Sequence, residues 1–324
     1  EKEQIKYMQV IQGLELSERY YNEFGKRMLE SEFPDVLPFL AVGLVGSGSE
    51  CFGFDDATSA DHDFEPSFCI FIPSNRETVS EKTAFLLEKA YMRLPSEFMG
   101  YSRQRVSPAG GARRGVIRIS DFYSSKTGSP DGGLVKEQWL AVPEYCLAEA
   151  TNGKIFFDNY GEFTEIRKKL LVIPEDIRLK KLAGNLALTA ETGLYNYLRC
   201  ISHGETAASQ LVLFEFEKAV INSVFLLNKK YQPYFKWKHR ALKSLPNGDF
   251  YSEKLEFLIS TPNDYEQIPV KVSVISDITE KLAQTVRDAF NGKATTKSPE
   301  ALAFELNDLI EDNALRNENI YYAI

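Results

Sequence analysis

Residues 43–73 read GLVGSGSECFGFDDATSADHDFEPSFCIFIP, and the order of residue types in this stretch decides the fold. The apolar run FLAVGLVG (39–46) is closed by glycine, which predicts a short buried strand. Gly46-Ser47-Gly48-Ser49 comes next. Small residues let backbone N–H groups come close to a phosphate, and a helix beginning there adds its dipole. Between Glu50 and Arg76 there are six carboxylates (Glu50, Asp55, Asp56, Asp61, Asp63, Glu65) and no lysine or arginine. So many like charges are unfavourable together unless water or a cation neutralises them. Asp61-His62-Asp63 then leads into a second strand pattern, HDFEPSFCIFIP (62–73). Strand residues two apart share a face at roughly 7 Å, so Asp61 and Asp63 can share one hard divalent ion. His62 faces the other way and reads as a packing residue rather than a ligand.

Other motifs fail on the letters. Gly43 to Gly48 has Walker spacing, but Ser49-Glu50 follows where Lys-Ser/Thr is needed. Gly46-x-Gly48 is followed at Cys51 by no third glycine, so it is not a dinucleotide fingerprint. A calcium loop starting at Asp61 would put Pro66 where glycine is required. No G-x-S-x-G is present, which weakens a serine-hydrolase reading.

Outward from this stretch, LELSERYYNEFGKRMLESEF (14–33) has helical period and stops at Pro34. TVSEKTAFLLEKAYMRLP (78–95) is a second helix, with Ser80 placed to cap it. RRGVIRISDFY (113–123) alternates as a half-buried strand. Beyond residue 136 the pattern becomes helical: 176–202, 205–231, 252–261, 276–290 and 298–314, the last opening on Ser298-Pro299. The expected architecture is α+β, with a small mixed-sheet domain at 1–135 and an α-helical domain at 136–324.

The chain has 324 residues, 44% of them hydrophobic, and a formal charge of −8. An acidic balance counts against nucleic acid as the main partner. Cys51, Cys69, Cys146 and Cys200 are far apart and form no C-x-x-C pair, which excludes a zinc ribbon and suits a reducing compartment. The longest apolar run, 36–46, is about half a bilayer span, and the start has no signal-peptide shape. The expected location is the cytoplasm, with no membrane partner.

Gly48-Ser49 followed by Asp61-x-Asp63 resembles the signature of polymerase-β-type nucleotidyltransferases. The fuller string, with TNGKIFFDNYGEF (151–163), GLYNYLRC (193–200) and LLNKKYQPYFKWKHRAL (226–242), is similar to a bacterial set of nucleotidyltransferase-fold domains of unassigned function. The helical half resembles the carboxy-terminal bundle of aminoglycoside nucleotidyltransferases. The resemblance implies that Ser47, Gly48 and Ser49 bind the phosphates of a nucleoside triphosphate. It also implies that Asp61 and Asp63 hold Mg²⁺ or Mn²⁺, and that a third carboxylate comes from a following strand, for which Asp121 is the candidate. The expected activity is transfer of a nucleoside monophosphate to a hydroxyl of a small-molecule or protein acceptor. The alternative is a catalytically silent nucleotide-binding or protein-interaction module of the same fold.

YQPYFKWKHR (231–240) is a basic, aromatic stretch in this acidic chain. One reading gives Lys236 to the triphosphate with an aromatic stacked on the base; the other is a helix junction with packed rings and solvated lysines. Glu191, one turn before Tyr195, is a further candidate as general base.

Overall fold

In the computed structural model, residues 11–56, 65–103 and 114–324 are described. Helices α1 (Gly13–Tyr20) and α2 (Lys26–Glu32) are joined through a π-helical turn at Tyr21–Gly25. α2 ends at Glu32 with Phe33 as its C-cap, out of helical backbone as a residue before proline prefers. Strand β1 (Ala41–Leu44) leads to the short helix α3 (Ser49–Phe52), and β2 (Cys69–Ile72) follows the acidic stretch. Helix α4 (Glu81–Met92) is capped by Ser80, whose side chain accepts from the Thr83 N–H at 3.2 Å. A small hairpin, β3 (Glu97–Phe98) and β4 (Tyr101–Ser102), precedes β5 (Gly115–Arg118). The predicted strand 113–123 is shorter than expected, because helix α5 (Ile119–Thr127) starts directly after Arg118.

The chain continues through α6 (Lys136–Ala141), α7 (Glu144–Thr151), β6 (Lys154–Asp158) and α8 (Glu162–Leu170). The rest is helical: α9 (Glu175–Thr189), α10 (Tyr197–Ser202), α11 (Thr206–Leu227), α12 (Lys238–Lys243), α13 (Gly248–Ser260), α14 (Gln267–Phe290), α15 (Pro299–Asp308) and α16 (Asn313–Asn317). The fold class is α+β, a small mixed sheet in the amino-terminal part followed by helices.

Four strands form the sheet in the order β5-β2-β1-β6. β1 is antiparallel to both its neighbours, whereas β2 and β5 are parallel. One face carries Val42, Ile70 and Ile72, packed in a core with Tyr20, Tyr21 and Leu29 on one side and Leu87, Ala90 and Tyr91 of α4 on the other. The opposite face carries Phe71, whose ring lies 5.4 Å from Phe122 of α5 and 4.5 Å from Phe163 of α8. The period-2 alternation of short apolar strands thus fills two layers, each buried ring contributing roughly 1.5–3 kcal/mol. Gly43 is required where β6 crosses: a Cβ there would strike the Lys154 carbonyl and Ile155.

Two compact units result, and the division differs from a single boundary at 135/136. The first comprises residues 1–138 and 145–171, the second 139–144 and 172–324. The chain returns to the sheet because β6, with a pattern (KIFFD) too short to stand out among helices, supplies the edge beside β1. In the second unit α9 is buried nearly all round, between α11 and α15.

Candidate functional site

β1 leaves the sheet through buried Leu44 and Val45 into the Gly-Ser turn. Gly46 and Gly48 have φ of 104° and 134°, a region that side chains with a Cβ avoid. α3 begins immediately after Gly48, and the Glu50 carboxylate lies back over Gly48, where a Cβ would collide with it. Ser47, Gly48 and Ser49 are half-buried. The turn is pinned by a residue far away in sequence: Gly46 N–H donates to Asn152 Oδ1 and Asn152 Nδ2 donates to Gly46 O, both at 2.8 Å. Gly153 N–H donates to Cys51 O at 2.9 Å, holding α3 as well. Arg167 donates to the Asn152 carbonyl, and burial pushes that guanidinium below its ordinary value.

Strand directions decide what gathers at this end of the sheet. Gly43 pairs with Cys69 in the antiparallel β1–β2 ladder, so the exit of β1 lies beside the start of β2. Cys69 also pairs with Gly115 in the parallel β2–β5 ladder, which brings the start of β5 to the same end. Gly115 N–H donates to Phe68 O at 3.2 Å, and Arg114 forms an ion pair with Glu65. Asp61 and Asp63 lie outside the described residues. Asp55, earlier in the acidic stretch, accepts from Gly13 N–H at 2.7 Å through Oδ2, while its buried Oδ1 has no hydrogen-bond partner among the described residues. A stretch rich in carboxylates with a buried oxygen lacking a donor suits a hard cation such as Mg²⁺. Among the described residues no three His, Cys, Asp or Glu side chains converge as a metal cluster.

Asp121 does not join this end, which corrects its assignment as a third acid from a strand. Ile72 pairs with Arg118, so β5 finishes at the opposite end, roughly 10 Å along the strand from Gly115. Asp121 lies beyond that, exposed in the first turn of α5, accepting from Ser120 Oγ at 3.4 Å. No strand position of β5 is acidic, and no Asp or Glu occurs between Glu97 and Asp121. Instead Arg114, Val116 and Arg118, alternate residues on one face, line an open cavity of about 300 Å³ with Glu81 and Glu88 of α4 and with Asp121. Several of its polar groups are already engaged: Arg118 reaches Pro73 O at 2.5 Å and Glu81 at 2.7 Å, and Glu88 accepts from Val116 N–H at 2.7 Å.

Lys236 belongs to the second unit, exposed on a 3₁₀ turn (Phe235–Trp237) with Nζ 4.8 Å from the Trp237 ring centroid. Glu191 is engaged elsewhere, accepting from Tyr321 OH at 2.7 Å and Asn196 Nδ2 at 3.3 Å. Asn152, which fastens the turn, received no role from the strand and motif patterns: it lies inside the stretch TNGKIFFDNYGEF (151–163), where Asn152-Gly153 reads as an ordinary turn.

A family model described as a domain of unknown function (DUF4037) matches residues 139–238, and this part of the chain is similar to it. Searches of curated proteins and of solved structures found no match. No helix among the described residues is long and apolar enough to cross a membrane.

Proposed function

We propose that the chain binds a nucleoside triphosphate at the end of the sheet where β1 stops and β2 starts, and transfers its nucleoside monophosphate to an acceptor hydroxyl. One observation carries this reading: the antiparallel register of Gly43 with Cys69 sets the Gly-Ser turn beside the approach to β2, the approach on which Asp61 and Asp63 lie in sequence. The turn's amides meet the phosphates, and Asn152 fixes their orientation through Gly46. Asp61 and Asp63 would hold Mg²⁺, which supplies charge neutralisation at the phosphates when bound. The acceptor oxygen forms the new bond to the α-phosphorus as the bond to pyrophosphate breaks, and the hydroxyl proton passes to water. The acceptor is a small molecule or a protein hydroxyl.

The absence of any acid on β5 favours a second reading, nucleotide binding without transfer. Isothermal titration of ATP, GTP, CTP and UTP with Mg²⁺ tests both, comparing the natural chain with Asp61→Asn/Asp63→Asn. Mg²⁺-dependent binding lost in the double variant supports the site, whereas equal binding by the two proteins overturns it. Pyrophosphate release in the presence of acceptors then separates transfer from binding alone.

A further inference from the structure

Residues 218–248 contain seven Lys or Arg and no Asp or Glu, in a chain whose formal charge is −8. The positive charge is therefore concentrated, and the second unit shows where it faces. α11 ends at Leu227, the chain turns at Lys229 with φ of 51°, and the 3₁₀ turn at Phe235–Trp237 runs into α12. Lys236, Arg240 and Lys243 are four and three residues apart, a spacing that brings them to one side of this helical stretch. All three are exposed, and at 1.5 Å per residue they span roughly 10 Å. The Trp237 ring holds the first two together, with Lys236 Nζ 4.8 Å and the Arg240 guanidinium 5.5 Å from its centroid.

Two aromatic rings lie next to this row. Phe235 is 68% exposed and Tyr234 41%, with ring centroids 4.3 Å apart. Both rings stand open to solvent beside the cations. The intervening basic residues point elsewhere. His239 Nε2 is 2.6 Å from Glu217 Oε1, and burial above all pushes the Lys238 ammonium below its ordinary value, with Lys218 adding to the effect and Glu144 and Glu217 opposing it. Lys238 and His239 thus face Glu144 and Glu217, while Lys236, Arg240 and Lys243 are exposed.

We propose that this surface binds single-stranded nucleic acid, with phosphates on the row of cations and bases stacked on Tyr234 and Phe235. A row of cations tracking a backbone beside exposed rings is what sequence-tolerant recognition of a single strand requires. A mononucleotide fits less well, because small-ligand sites enclose most of their ligand and these side chains are open to solvent. A duplex buries its bases and offers nothing to the rings. The proposal concerns the second unit alone and does not depend on nucleotidyl transfer.

The experiment is fluorescence anisotropy with a labelled 15-nucleotide oligo(U) RNA and the whole chain, at salt from 50 to 300 mM. Saturable binding is expected, weakening with salt. Lys236→Ala/Arg240→Ala should lower affinity at least tenfold and reduce the salt slope by about 1.4, from roughly 0.7 per phosphate contact. Tyr234→Ala/Phe235→Ala should lower affinity at least about fivefold with the slope unchanged, since stacking is not ionic. Lys236→Arg/Arg240→Lys, which keeps charge, should restore most of the binding and shows that the site tolerates substitution. Asp61→Asn/Asp63→Asn should bind as the natural chain does. The proposal is overturned if no binding occurs at 50 mM salt, or if duplex RNA or polyglutamate binds equally well. Competition by stoichiometric ATP, or indifference to both alanine pairs, overturns it too.

Discussion

Asn152 and Gly46 are 106 residues apart and exchange two hydrogen bonds of 2.8 Å, the side-chain amide of one closing on the backbone amide and carbonyl of the other. An amide side chain matches a peptide group donor for acceptor, so it replaces the strand partner that the turn lacks. Asn152→Ala leaves both Gly46 groups without that partner. The expected loss is about 1–3 kcal/mol in urea unfolding, with weaker Mg²⁺–nucleotide binding alongside. Asn152→Asp keeps the acceptor and loses the donor, and should fall between the two. Unchanged stability and nucleotide binding in Asn152→Ala would show that the turn is held by other means.

Asp121 supplies a sharper contrast. Since β2 and β5 are parallel, it sits at the far end of the sheet from the Gly-Ser turn. Asp121→Asn should therefore leave Mg²⁺–nucleotide affinity within about twofold of the natural chain, while Asp61→Asn/Asp63→Asn abolishes it. A loss in Asp121→Asn matching that of the double variant would mean that this carboxylate reaches the ion after all.

The two aspects of the molecule differed in how plainly the residues announced them. Helices with a strong stripe and a stop, such as the one ending before Pro34 or α15 opening on Pro299, were read from their own residues, because capping and periodicity are local. β6 was not, since five residues of KIFFD become a strand only through pairing with β1. Asp121 misled for a related reason. The alternation in VIRIS looks like a strand throughout, yet Ile119 turns inward as the first residue of α5, which shifts everything after it by a change of period. The Gly-Ser turn was legible in composition, but its fastening by Asn152 was not, because a contact across 106 residues leaves no spacing rule.

Glu65 and Arg114 form an ion pair at the end of the sheet where β2 and β5 start, with side chains 14% and 10% exposed. Removing one member of a pair so deeply placed leaves the other charged and poorly solvated. Arg114→Met is expected to lose about 3–5 kcal/mol of stability, whereas Glu65→Gln/Arg114→Met should recover much of it. Chemical denaturation of the two variants and the natural chain measures the difference. A double variant no better than the single one would show that Arg114 acts through packing and not through charge.

Lys180 and Lys271 are fully buried in the second unit, and among the described residues their ammonium groups bond to carbonyl and amide oxygens. Lys180 Nζ donates to Asn307 Oδ1 at 2.9 Å and Glu318 O at 2.7 Å, and Lys271 Nζ to Thr261 O at 2.5 Å and Asn263 Oδ1 at 2.7 Å. Loss of water pushes both below the ordinary lysine value of 10.5, more than the nearby Glu318 and Asp264 raise them. The folded chain therefore gives up these protons at a lower pH than the unfolded chain. Between the folded value and 10.5 the unfolded state holds more protons, so stability rises with pH across that window and levels off above it. Measured as the difference from Lys180→Met/Lys271→Met, which removes both titrations, the natural chain should gain stability as pH rises from neutral towards 10.5. Urea midpoints at stepped pH give the difference directly, and a difference that falls with rising pH would mean that the ammonium forms are the favoured ones in the folded protein.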